Sequence, residues 1–216
     1  MLFRSVASEL GLILVAPDTS PRGAGVADDA DAYDLGMGAG FYINATREPW
    51  ASHYRMYDYI VSELPQLIEK TFSTTSKRSI FGHSMGGHGA LMIALKNPGM
   101  YQSVSAFSPI VAPSKVPWGE KAFGAYLGEE EREAWKQWDT CELVADAKER
   151  LLLFVDQGMD DAFYASQLQT ERLREACEAA GHPFNIRLQG GYDHSYYFIS
   201  TFIEDHLQHH ASALSS

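Results

Sequence analysis

The chain has 216 residues, 45% of them apolar and 12% aromatic, with 28 acidic against 17 basic side chains and a formal charge of −11. The length and apolar content suit one α/β domain with a real core, and the acidic balance argues against nucleic acid, whose phosphates call for a basic face. No apolar run approaches the ~20 residues that span a bilayer, no leader pattern opens the chain, and Cys141 and Cys177 are too few for a disulfide framework, so the expected setting is cytoplasmic.

In chain order, short apolar runs alternate with helical patterns. Leu12–Ala16, Ser79–Phe81 with its flanks, Ser103–Phe107, Leu151–Val155 and Phe184–Leu188 read as strands. Several lack polar alternation, as expected of strands covered on both faces in a parallel sheet. Met56, Tyr57, Ile60, Val61, Leu64, Leu67 and Ile68 recur at helical spacing, with a kink expected at Pro65. Gly87–Lys96 reads as a helix stopped by Asn97-Pro98-Gly99, and Ser166–Ala180 as one stopped by Gly181. A last helix is expected over about Tyr196–His210. Two stretches break the rhythm and read as excursions over the sheet edge, where a site would sit: the Gly- and Asp-rich Pro17–Asn44, and Pro113–Asp139 with Trp118, Phe123, Tyr126, Trp135 and Trp138. Within the second, Glu129–Glu131 reads as a solvated first helical turn. The alternation predicts an α/β fold with a mainly parallel sheet and helices on both faces.

The segment that carries chemistry is Gly82-His83-Ser84-Met85-Gly86-Gly87, a G-x-S-x-G pattern between a strand and a helix. Such an elbow wants small residues around the serine because the turn is sharp, and it lifts the hydroxyl to a helix N-terminus. A serine needs a base and an orienting acid, and the expected chain order is Ser, acid, His. Of eight histidines, His194 follows the strand Phe184–Leu188 directly and precedes the last helix. His83 and His88 lie too near Ser84 in sequence to reach back. His53 precedes the elbow, His182 sits at a helix stop, and His206, His209 and His210 read as solvent-facing. The acid is expected just after Leu151–Val155. Asp156, at the strand end, reads as a loop cap, and Asp193 as too close to His194 on the backbone. Spacing leaves Asp160 and Asp161 open. The Met85 N–H is one expected oxyanion donor, and a second should come from a loop after an earlier strand, which the chain does not reveal.

Ala16–Gly23 (APDTSPRG), Gly38–Tyr42 (GAGFY), Tyr54–Tyr57 (YRMY), Gly82–Gly89 (GHSMGGHG), Ser105–Pro109 (SAFSP), Pro117–Phe123 (PWGEKAF) and Gly191–Phe198 (GYDHSYYF) resemble the S-formylglutathione hydrolases, the esterase D type of α/β-hydrolase. The resemblance runs from about Val6 to the C-terminus. It implies a cytoplasmic thioesterase, usually a homodimer, that hydrolyses S-formylglutathione to formate and glutathione in formaldehyde detoxification, with no metal or organic cofactor. It selects Asp161, the second of the pair in Asp160-Asp161-Ala162-Phe163, as the catalytic acid beside Ser84 and His194. Glutathione thioesters are anionic, so a local cation is expected, with Arg22, Arg55 and Lys121 as candidates. Trp118 is a candidate for the wall of the substrate pocket.

The family pattern also includes further N-terminal strands and an oxyanion loop with no counterpart here. The expectation is therefore one α/β-hydrolase domain over residues 1–216, N-terminally incomplete, with a gap in the sheet between Leu12–Ala16 and Ser79–Phe81. The alternative to an active enzyme is a catalytically impaired truncated paralogue or fragment without a complete oxyanion hole.

Overall fold

The computed structural model describes the backbone of residues 2–216 and the side chains from Ser5 onward. α1 (Leu2–Glu9) comes first. After a long irregular stretch, α2 (Met56–Asp58), a π-helical turn (Tyr59–Glu63) and α3 (Leu64–Thr71) form one continuous helical segment. β1 (Ile80–His83), α4 (Met85–Lys96) and β2 (Val104–Phe107) follow. The second excursion carries α5 (Pro117–Leu127), α6 (Arg132–Trp135) and α7 (Thr140–Ala145). β3 (Leu153–Gly158), α8 (Thr170–Ala180), β4 (Phe184–Gln189) and α9 (Tyr196–Ser215) complete the chain. No helix among the described residues is long and apolar enough to cross a membrane.

The four strands are parallel and pair in the order β1-β2-β3-β4. His83 aligns with Phe107 and Phe107 with Asp156, so β1 and β2 end level while β3 runs on to Gly158. The two-residue period of a strand sorts its side chains between two layers. Val104, Ala106, Leu153 and Val155 join the core shared with α4, α5, α7 and α8. Ser105, Phe107, Phe154 and Asp156 meet α9 on the opposite face. β2 and β3 are buried throughout, which is why they carry apolar residues on both faces.

The structure departs from the sequence pattern in places that have physical reasons. Residues 12–16 form no strand: Leu12 N–H reaches Ala7 O at 2.8 Å, and 13–16 find no backbone partner among the described residues. Ile13, Leu14 and Val15 stand 55%, 39% and 43% exposed. An apolar run becomes a strand only where a neighbour supplies the ladder, and β1, the nearest expected neighbour in the pattern, is the open edge of the sheet. Pro65 falls in the first turn of α3, directly after a π-helical turn, where a helix tolerates the missing N–H. β3 runs on to Gly158, so Asp156 is a strand residue rather than a loop cap. Glu131 occupies the N-cap position of α6, and Arg47 pairs with Glu130 and Glu131 ahead of the helix.

The largest correction concerns α9. His206 and His210 are 0% and 3% exposed rather than solvent-facing, because the helix lies flat on the sheet. Spaced four apart, they share one helix face and meet Ser103 and Ser105, spaced two apart on one strand face.

Candidate active site

Ser84 joins β1 to α4 with φ 58° and ψ −119°, a conformation costly for a residue with a Cβ. The turn holds because its backbone is tied: Ser84 N–H donates to Phe107 O at 2.9 Å, and Ser84 O accepts from His88 N–H at 3.0 Å. A Cβ at Gly82 would lie 2.1 Å from Gly86 O, so the first glycine of the motif is compulsory. Gly86 itself faces open space, and on the far side of the serine it is Gly87 that must be small, since a Cβ there would lie 2.9 Å from Pro109 Cβ. Met85 opens α4, so its N–H lies in the helix's first turn beside the hydroxyl, where no intrahelical acceptor exists.

His194 follows β4 and Asp161 follows β3, and the two meet: His194 Nδ1 lies 2.5 Å from Asp161 Oδ2. Asp160, the other candidate that spacing allowed, gives its N–H to Tyr192 O at 3.0 Å, and it is Asp161 that bonds the imidazole. Close approach of two loops creates the pair. A Cβ at Gly158 would meet Tyr192 O at 2.4 Å, and Met159 N–H reaches Gln189 O at 3.0 Å. Burial acts to raise the Asp161 carboxyl, but the bonds from His194 and from Phe163 N–H (2.9 Å) outweigh it, and its pKa is held below the ordinary value. Asp193 turns away and accepts from Ser195 N–H at 3.0 Å, at the start of α9.

Two rings flank the imidazole, and neither was assigned a part by sequence reasoning. The Phe163 ring lies 5.2 Å away, centroid to centroid, at 83°, and His83, the residue before Ser84, lies 4.3 Å away at 41°. Phe163 continues to Trp118 at 4.7 Å and Trp118 to Tyr33 at 6.1 Å, a row of aromatics leading outward from His194. Trp118 is fixed by its N–H, which donates to the buried Gln167 Oε1 at 3.0 Å, and Gln167 belongs to a π-helical turn (Tyr164–Leu168) just past the acid. Both irregular excursions therefore reach the site, one through Tyr33 and the other through Trp118. His88 is fully buried at a distance, with Nε2 on Phe41 O at 3.0 Å. Among the described residues no group of three or more His, Cys, Asp or Glu is placed to hold a metal ion.

The esterase family described as "Putative esterase" matches residues 1–209. An S-formylglutathione hydrolase from Agrobacterium tumefaciens is 51% identical over 98% of this chain and 76% of its own, with a TM-score of 0.95. The chain belongs to the S-formylglutathione hydrolase family of α/β-hydrolase esterases. Fold alone is shared with fluorophosphonate-binding serine hydrolase F of Staphylococcus aureus, 21% identical over 80% of this chain and 68% of that one, with a TM-score of 0.65. The same holds for MPT51 of Mycobacterium tuberculosis, 15% identical over 83% and 75%, with a TM-score of 0.66. As a member of this esterase family the chain is a serine hydrolase of esters or thioesters.

The charges around an esterase of this kind bear on its substrate. Each of the three expected cations is held by a carboxylate: Arg22 by Asp18 at 2.8 Å, Arg55 by Asp58, and Lys121 by Asp34 at 2.5 Å. Arg22 and Arg55 serve local turns. Lys121 and Asp34 differ, because they tie α5 to the first excursion next to Trp118 and Tyr33.

Proposed function

We propose that the chain hydrolyses S-formylglutathione to formate and glutathione, with Ser84 as nucleophile, His194 as general base and acid, and Asp161 as the residue that orients His194. The observation that carries this reading is the Asp161–His194 contact, set at the same end of the sheet as the strained Ser84 turn. Ser84 Oγ attacks the formyl carbon and His194 Nε2 takes the hydroxyl proton. The C–S bond then breaks, the proton passes to the departing sulfur, and the formyl group remains as an ester on Ser84. Water repeats the sequence through His194, breaking the ester and freeing formate. Asp161 fixes the tautomer with Nδ1–H toward itself, leaving Nε2 for the serine, and offsets the imidazolium charge. The Met85 N–H stabilises the oxyanion, an effect worth about 3–4 kcal/mol per donor in comparable sites.

The Trp118–Phe163 pair, packed 4.7 Å apart with Phe163 against His194, would favour a small acyl group such as formyl. On this reading the enzyme works in the cytoplasm, in formaldehyde detoxification, as a homodimer. The test is thiol release from S-formylglutathione alongside p-nitrophenyl acetate hydrolysis, for the chain and for Ser84→Ala. The reading expects both substrates to turn over, the thioester faster, and kcat to fall by about 10⁴-fold or more in the variant. A chain impaired at the oxyanion hole, the reading that the open β1 edge favours, turns over neither.

A further inference from the structure

We propose that His83 is a positioning residue: its ring lies against His194 and, with Phe163, holds the plane of the catalytic imidazole while its charge changes. The proposal rests on the assignment of His194 as the base. Three observations carry it. The His83 and His194 rings are 4.3 Å apart and tilted by 41°, close enough for direct contact. Phe163 meets His194 edge-to-face, with ring centroids 5.2 Å apart and planes at 83°, so the imidazole has a second aromatic neighbour and Asp161 at Nδ1. His83 Nε2 is buried without a hydrogen-bond partner, so no polar contact there accounts for the ring's placement.

The chemistry explains why a histidine here must stay neutral. Two cationic imidazoles at this separation would repel strongly, and His194 must become cationic when it accepts the Ser84 proton. The groups facing His83 are His194 and Asp161. Burial and His194 push the His83 pKa down to about 4, against a smaller opposing pull from Asp161. Above that pH His83 offers an uncharged π face to the developing imidazolium, a favourable contact in a partly dry site. β1 makes the contact reliable, because His83 is its last residue and is registered against Phe107. The position beside the nucleophile, which argues against His83 as a second base, is what makes it a good support.

The test compares His83→Ala and His83→Phe in the full chain, measuring kcat, KM and the pH profile of kcat/KM on p-nitrophenyl acetate. A fluorophosphonate on Ser84 counts active sites in each preparation. The expected result for His83→Ala is a kcat about 10-fold lower with KM changed less than about twofold. Its acid limb should move by about half a pH unit or more, because the imidazole loses the ring that excludes water. His83→Phe keeps the ring and is expected within about threefold of the parent at all pH values. An Ala variant with unchanged kcat and an unmoved acid limb overturns the proposal, as does a Phe variant as impaired as the Ala variant. If His83→Ala fails to melt cooperatively, His83→Gln, which also lacks an aromatic ring, takes its place under the same criteria. Should the parent chain itself not label at Ser84, the failure belongs to the catalytic assignment and not to His83.

Discussion

Two lines of serine, histidine and aspartate cross this molecule, and only one is proposed to do chemistry. Ser84, His194 and Asp161 sit on loops beyond the strand ends, and the hydroxyl stands on a strained turn. Ser105, His206 and Asp156 lie in β2, α9 and β3, with His206 Nδ1 2.8 Å from Ser105 Oγ and Nε2 3.0 Å from Asp156 Oδ2. The inner line is fully buried and saturated. Ser105 also meets His210 Nε2 at 2.8 Å, His210 Nδ1 meets Ser103 Oγ at 2.7 Å, and Asp156 accepts from Arg187 and Gln189 as well. Residue types are the same in the two lines, and each has a histidine on an aspartate, but His206 also bonds its serine. Accessibility and a serine without competing partners separate a catalytic array from one that fastens a helix to a sheet.

Ser84→Ala, the largest expected effect, sharpens the contrast most: activity falls by about 10⁴-fold or more with the thermal midpoint almost unchanged. Asp161→Asn is expected to fall by about 10⁴-fold through the wrong histidine tautomer. Asp156→Asn should do the reverse. It leaves Arg187 and His206 without their shared anion, and urea unfolding should show a loss of about 3–5 kcal/mol. The protein that remains folded should keep kcat within about threefold. An Asp156→Asn chain that is stable but inactive would break the comparison.

Acid titration separates the inner line in another way. Burial holds His210 down to about 3 and His88 to about 4, so both are neutral in the folded chain and protonate more readily once unfolded. Unfolding then takes up protons, and stability is full above about pH 6.5 and declines toward those folded values. Asp156 and Asp161 are lowered, so their contribution persists above the ordinary carboxylate pKa and disappears only below it. The decline between pH 6.5 and 5 therefore belongs to the histidines. His210→Gln should flatten it by about 2 kcal/mol over that span, read from urea midpoints. A smaller effect is expected at the pocket wall: Trp118→Ala should improve butyrate over acetate esters by about 10-fold, measured as a ratio of kcat/KM. The smallest is expected at the exposed Ile13, where Ile13→Ser should change stability by less than about 0.5 kcal/mol.

The strands β1 to β4 are legible because apolar runs and their stops are local signals, and the proposed roles of Ser84 and His194 can be read because their neighbours on the chain announce the turn. Asp161 needed the family resemblance, since Gly158 meeting Tyr192 is a contact between loops that spacing does not encode. Residues 12–16 misled because apolar β-branched composition reports a preference for pairing and not the presence of a partner. The buried array was hidden for a related reason. Ser103 with Ser105 and His206 with His210 each show the right period, two on a strand and four on a helix, but polar residues at those positions read as outward-facing until the two faces are matched. The closeness of His83 to Ser84 in sequence hides its part, although the last residue of a strand and the residue on the turn after it have different neighbours.

The most direct measurement is covalent labelling with a fluorophosphonate, followed by mass analysis of tryptic peptides. Ser84 and Ser105 fall in different peptides, because Lys96 lies between them. The account predicts one adduct per chain, on the Ser79–Lys96 peptide at Ser84, lost in Ser84→Ala and retained in a folded Ser105→Ala chain. An adduct on Ser105, or a folded chain that takes no label at Ser84, would contradict it.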